Sequence, residues 1–218
     1  GGHVVAGGQG DLRALRDWVA ALDDSKQYAV AVSCVKDDTY AHEIGHAFES
    51  LSSATLHFVK SSATFAGVRN AYDEPQRLGV DRWLALLAIK ARGESSAVII
   101  DVGTACTIDV LENGQHLGGY IFPGMALARD ALVANTDKIR FSGDPEPSTS
   151  LGTDTAGCVL SGIWLTLLAS CQHVIDRFPN ATVYLTGGSA PELTALGLDA
   201  KRVDGLVFDG LDFWLNWA

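Results

Sequence analysis

The chain has 218 residues, with 16 Lys and Arg against 26 Asp and Glu for a net charge of −10. Such a charge repels a phosphate backbone and leaves no basic stripe, which argues against a nucleic-acid partner. With 47% apolar and 19% charged residues the composition is that of a globular protein long enough to form one large domain or two small ones.

No apolar run is expected to reach the length of a bilayer span, and the N-terminus lacks the basic-then-apolar pattern of a signal peptide. A soluble, cytoplasmic chain is expected, with no membrane partner. Cys34, Cys106, Cys158 and Cys171 are widely spaced within apolar stretches and form no C-x-x-C pair, so buried, reduced thiols are expected. The sequence opens Gly1-Gly2-His3 without a methionine, as expected of a fragment, a processed chain or part of a longer one.

In chain order, the hydrophobic pattern predicts an amphipathic helix over Asp11–Leu22, a buried strand over Tyr28–Val35, a second helix over Thr39–Leu51 and a short strand over Leu56–Val59. Ser61–Gly67 reads as loop. Gly79–Ala91 is apolar nearly all round and predicts a helix buried between layers or at a subunit contact. The period then changes to that of a sheet. Ala97–Val102, Ala105–Leu111 and His116–Phe122 predict three strands, the last two joined by Asn113-Gly114, a type I′ hairpin signal. Pro123-Gly124 opens a helix to about Ala134, with proline in its first turn. This order is that of the front half of a ribonuclease H-like fold. Ser142–Gly152 reads as a linker. A long apolar helix over Thr155–Phe178, a strand over Thr182–Thr186, the turn Gly187-Gly188, and helices over Pro191–Leu196 and Leu206–Trp217 complete the chain.

Three constellations could carry chemistry. Asp101-Val102-Gly103-Thr104 puts a carboxylate at the end of a buried strand, followed by a small-residue turn. There backbone N–H groups and the Thr104 hydroxyl can approach phosphate oxygens while Asp101 holds a cation; a plain hairpin with a capping aspartate fits equally well. Gly79-Val80-Asp81-Arg82 places an acid in the first turn of a buried helix, either as a dipole-favoured cap or as the group that accepts a substrate hydroxyl proton, with Arg82 as a charge clamp. Gly118-Gly119 with Pro123-Gly124 fits close backbone approach of a ligand or tight helix–sheet packing. A rival lies in His42-Glu43-Ile44-Gly45-His46, which matches the zinc-peptidase pattern H-E-x-x-H. Its context argues for two exposed histidines instead, because Ser52 and Glu49 stand where a third histidine and a glycine would be needed, and Glu74 lies beyond a strand and a loop.

Taken together, Tyr72 with Gly79-Val80-Asp81-Arg82-Trp83, Asp101 to Thr107, Gly118 to Gly124, and Gly152-Thr153-Asp154-Thr155 with Gly162 resemble, in order and spacing, the type III pantothenate kinases. Weaker likeness extends to Leu185-Thr186-Gly187-Gly188 and Leu206 to Leu211. The resemblance implies an α/β fold of the acetate/sugar kinase–Hsc70–actin superfamily. Its two ribonuclease H-like (actin-like ATPase) halves, residues 1–76 and 77–218, hold the active site between them. It further implies a homodimer that uses ATP to phosphorylate pantothenate, the first step of coenzyme A biosynthesis. Asp81 is then the proton acceptor, and Tyr72, Gly79, Val80, Arg82 and Thr155 line the pantothenate pocket with it. Thr104 contacts ATP, Asp101 binds a monovalent cation, potassium or ammonium, and magnesium accompanies the nucleotide. The family opens on a strand with Asp-x-Gly-Asn-Thr or a near variant, and nothing in Gly1–Leu22 resembles it, so the chain is expected to start just past that strand. Because the same family includes transcriptional accessory factors, a non-catalytic regulator is the principal alternative, and the zinc peptidase a remote one.

Overall fold

The computed structural model describes residues 12–35, 38–49, 51, 53–135 and 146–217. Residues 1–11, the first half of the segment searched for a phosphate-binding strand, and residues 142–145 of the predicted linker lie outside them.

The described elements form a mixed α/β fold. In chain order they are α1 (Leu12–Ala20), β1 (Tyr28–Val32), α2 (Asp38–Phe48), β2 (Ala54–Phe58), β3 (Thr64–Phe65), β4 (Val68–Arg69) and α3 (Val80–Ala91). There follow β5 (Ala97–Val102), β6 (Ala105–Glu112), β7 (Gln115–Pro123), α4 (Met125–Ala134), α5 (Thr155–Arg177), β8 (Thr182–Thr186), α6 (Ala190–Ala195), β9 (Lys201–Arg202) and α7 (Leu206–Trp217). Contacts gather these into two compact units, one of residues 1–92 with 207–218 and one of residues 93–206.

In the first unit, β1 and β2 pair in parallel from Tyr28 with Ala54 to Val32 with Phe58, the crossover being α2. Val19, Ile44, Ala47, Phe48 and Leu51 form its core against Leu15, Trp18 and Val30. β3 and β4 are a two-residue hairpin within the segment expected to be loop. Its turn is Ala66-Gly67, with φ of 49° and 85°. An alanine in the left-handed region is uncommon and carries no sequence signal of the Asn-Gly kind, which is why this hairpin escapes a reading by turn residues. α3 buries Val80 and every residue from Arg82 to Ile89 within the single chain, so its apolar surround needs no subunit contact. Part of that cover is α7, whose Gly210 lies so close to the Leu84 carbonyl that a Cβ would overlap it.

In the second unit the strands run in the order β7-β6-β5-β8-β9. β5 to β7 are an antiparallel meander. β8 and β9 continue the sheet in parallel. β5 is therefore central, and reads Ala-Val-Ile-Ile-Asp-Val with only Asp101 short of full burial, as a strand covered on both faces should. Asn113 and Gly114 have φ of 51° and 77° and make the predicted type I′ turn. Pro123 proves to be the last residue of β7, opposite Ala105, and not a first-turn helix residue; Gly124 is the N-cap of α4. Gly118, with φ 109°, stands beside the register shift at Val110/Leu111. A bulge is therefore a sufficient reason for that glycine.

α5 runs for 23 residues and is long and apolar enough to cross a bilayer by length and composition. That corrects the expectation that no apolar run approaches such a length. Here it is a core helix: Leu160, Trp164, Leu167, Cys171 and Val174 form a stripe at helical spacing and pack with Ile100, Ile108 and Leu185 of the sheet. All four cysteines are free thiols, but only Cys106 and Cys171 are fully buried and Cys158 is exposed. The first turn of a half-exposed helix, not an apolar interior, surrounds that residue.

Candidate functional site

The first unit carries Tyr72, Gly79, Val80, Asp81 and Arg82. Asp81 sits in the first turn of α3, where the positive end of the helix dipole favours a carboxylate. Its Oδ1 accepts the Arg82 N–H at 2.8 Å. A Cβ on Gly79 would come within 2.6 Å of that same oxygen, so Gly79 leaves room for the aspartate to adopt this orientation. Arg82 is 6% exposed. It donates from Nη1 to the Tyr72 hydroxyl at 3.0 Å. The structure thus brings Tyr72, Gly79, Asp81 and Arg82 together, while Val80 is turned into the core.

Two residues not singled out from the sequence hold this arrangement. Asn70 Nδ2 donates to the Ser62 and Pro75 carbonyls at 3.2 and 3.1 Å, and its Oδ1 accepts the Tyr72 N–H at 3.0 Å. One amide therefore shapes the loop that presents Tyr72. Ser61 is buried and its Oγ donates to the Leu78 carbonyl at 2.8 Å, fixing the chain as it enters α3. A lone asparagine and serine in a polar stretch carry no distinguishing pattern, and only the folded loop reveals their use.

The second unit carries Asp101, Thr104 and Thr155. Asp101 pairs in register with Thr107 of β6 and Thr186 of β8. The turn after β8 returns to it: Gly187, with φ 96°, lies where a Cβ would meet Asp101 Oδ1 and the Val102 carbonyl at 2.5 Å and the Val102 nitrogen at 2.6 Å. Ser189 N donates to the Val102 carbonyl at 2.9 Å. On the other side Gly124 N donates to the Thr104 carbonyl at 2.9 Å, and a Cβ on Gly124 would overlap the Gly103 carbonyl. Two glycine turns therefore clasp Asp101-Val102-Gly103-Thr104, leaving Gly103 and Thr104 exposed at the tip. The Asp101 carboxylate and the Val102 carbonyl, both beside Gly187, are oxygen donors of the kind a hard cation takes. Gly187 was legible from sequence only as part of the Gly187-Gly188 turn and Gly124 as part of a proline-glycine helix entry; their contacts with this turn are what the fold adds.

Thr155 is the exposed first residue of α5. Asp154 caps that helix by accepting the Gly157 N–H at 2.7 Å. Gly152 presses on the same turn, where a Cβ would overlap the Cys158 nitrogen. Gly152-Thr153-Asp154-Thr155 is thus a tight helix entry whose small residues present the Thr155 end of α5.

His42 and His46 stack on the exposed face of α2 with ring centroids 5.2 Å apart, and His46 Nδ1 lies 2.7 Å from Glu49 Oε1. Among the described residues no group of three or more His, Cys, Asp and Glu side chains is arranged to hold a metal ion.

A family model described as type III pantothenate kinase matches residues 6–177. A curated type III pantothenate kinase from Marinobacter nauticus is 34% identical over 187 residues, 84% of this chain and 77% of that protein. One from Aromatoleum aromaticum is 35% identical over 211 residues, 92% of this chain and 83% of that protein. Over a shorter stretch of 134 residues, 62% of this chain and 54% of the relative, one from Acinetobacter baumannii is 40% identical. Among solved structures, a Campylobacter jejuni protein described as a Baf family transcriptional activator superposes with a TM-score of 0.57. It is 18% identical, with 90% of this chain and 84% of that one covered, a likeness of fold alone. The length and identity of the sequence matches, over the same motifs the structure gathers, place this chain in the type III pantothenate kinase family.

Proposed function

We propose that this chain transfers the γ-phosphoryl group of ATP to the hydroxyl of pantothenate. The observation that carries the reading is the setting of Asp81, a carboxylate oriented by the Arg82 N–H beside the half-buried Arg82–Tyr72 pair. In the step proposed, Asp81 takes the hydroxyl proton as that oxygen bonds to the γ-phosphorus, and the bond to the β,γ-bridging oxygen breaks to release ADP. Arg82 supplies fixed positive charge. The proposed pantothenate contacts are Tyr72, Gly79, Val80 and Thr155, Val80 through its backbone because its side chain is buried.

Thr104 and the glycine-clasped turn around it contact the phosphates of ATP. Asp101 holds a monovalent cation, potassium or ammonium, which supplies positive charge beside them, and magnesium arrives with the nucleotide. The reading includes two ribonuclease H-like halves divided by chain topology at 76/77, a homodimer and a cytoplasmic setting.

Coupled measurement of ADP release tests it, using the full-length protein with ATP, magnesium, potassium and pantothenate. Asp81→Asn keeps an oxygen for the Arg82 N–H but cannot take the proton, so turnover should fall by about 10²–10⁴-fold with the thermal midpoint unchanged. Absence of pantothenate-dependent ADP release by the native protein, or full turnover by Asp81→Asn, would sink the assignment.

A further inference from the structure

Val68 and Leu78 are buried, and between them no residue of the chain is. This stretch presents Tyr72 to the Arg82 guanidinium, yet no side chain in it is anchored in a core. Hydrogen bonds must set its path. They converge on Asn70. The Asn70 N–H donates to the Ala63 carbonyl at 2.9 Å, one step beyond the pairing of Thr64 with Arg69, and so ties the residue to the β3–β4 hairpin.

From that base the side-chain amide works in two directions. Nδ2 donates to the Ser62 carbonyl at the foot of the hairpin, at 3.2 Å, and to the Pro75 carbonyl, at 3.1 Å, where the chain returns toward α3. Oδ1 accepts the Tyr72 N–H at 3.0 Å. Two carbonyls that need donors and one N–H that needs an acceptor match a single planar carboxamide; an ionised aspartate supplies no donor and a serine only one. At its far end Tyr72 accepts the Arg82 Nη1–H at 3.0 Å. Hairpin, amide, phenol and guanidinium are thus joined in series.

We propose that Asn70 is a positioning residue for the phosphoryl acceptor. It sets where the Tyr72 hydroxyl meets Arg82, and thereby the affinity for pantothenate, acting through Tyr72 and not on the substrate. The inference rests on the kinase reading for the identity of that substrate.

A double-variant cycle in pantothenate kinetics at saturating ATP tests it. Asn70→Ala should raise the pantothenate KM about tenfold, as for lost hydrogen bonds, with a smaller change in kcat. Because Asn70 acts through Tyr72, Tyr72→Phe should raise that KM in the native background and add nothing in the Asn70→Ala background. Factors that multiply overturn the proposal, as does a native KM in Asn70→Ala. Asn70→Asp serves where Asn70→Ala fails to fold, since it keeps an acceptor for the Tyr72 N–H and loses only the donors. Two facing carbonyls hold the introduced carboxyl above its ordinary range. Protonated, it can donate to one of them; ionised, to neither. Its pantothenate KM, relative to that of the native protein, should therefore rise from about pH 5.5 to about pH 8, and a flat ratio overturns the proposal. Hydrogen exchange of the unliganded protein gives an answer independent of turnover. The Tyr72 amide should be protected in the native protein and lose that protection in Asn70→Ala, while the amides within α3 keep theirs. That outcome upholds the placement of Tyr72 by Asn70 even if the native protein fails to phosphorylate pantothenate, and unchanged exchange overturns it even if it succeeds.

Discussion

Arg82 reaches Tyr72 twice over: its Nη1 donates to the phenol at 3.0 Å, and its guanidinium carbon lies 5.9 Å from the centre of the ring. The ring contact does not depend on the hydroxyl. Tyr72→Phe therefore leaves Arg82 in place but removes one of the bonds that fix its plane. The pantothenate KM should rise about three- to tenfold, the range for one hydrogen bond, with kcat little changed. Arg82→Lys loses the planar fork altogether and should raise that KM further and lower kcat as well. Pantothenate titrations at saturating ATP check this.

Gly187→Ala should be among the most damaging single-methyl additions in the chain. An alanine at φ 96° costs about 1–3 kcal/mol by conformation alone, and its Cβ would press on Asp101 Oδ1 and both polar atoms of the Val102 backbone. Urea unfolding should show the lost stability. If Asp101 binds the cation, activity should also need a higher potassium concentration.

Asp109 and His116 form a pair at 2.8 Å between β6 and β7, with 2% and 0% of their surfaces exposed. Removing either side chain takes this buried bond away from the other. Asp109→Ala and His116→Ala should each cost about 3–5 kcal/mol, and the double variant less than the sum of the two. Denaturant midpoints of the three variants make the cycle.

Thiol labelling should divide the cysteines. Cys158 is exposed and should react with an alkylating agent in the native protein. The Cys106 thiol is pushed far up by its hydrogen bond with Cys171 and by burial, so little thiolate exists to react. Cys106 and Cys171 should label only on unfolding, as mass spectrometry of the tryptic peptides would show.

Much of the fold was legible in the sequence because its signals are periodic and local. The meander and its Asn113-Gly114 turn, the strand Thr182–Thr186 and the helix Leu206–Trp217 each follow from apolar spacing and turn chemistry. The Ala66-Gly67 hairpin and β9 did not, since two-residue strands have no period to detect. The site divides in the same way. Asp81, Arg82, Asp101 and Thr104 stand in contiguous motifs and could be named. Asn70, Ser61, Gly187 and Gly124 act through contacts that only the folded chain makes. Burial also separated residues alike in sequence: Cys106 and Cys158 both lie among apolar and small neighbours, yet one is in a central sheet and the other on an open helix turn.

β9 consists of Lys201 and Arg202 alone, both exposed, at the end of the second unit's strand order. A strand this short, with two long charged side chains paired to Glu94 and Asp204, offers an incoming chain almost no ladder to extend. The parallel side of the sheet is in this way guarded against edge-to-edge aggregation. Replacing both residues with β-branched apolar ones would remove that guard without touching any residue of the proposed catalytic machinery.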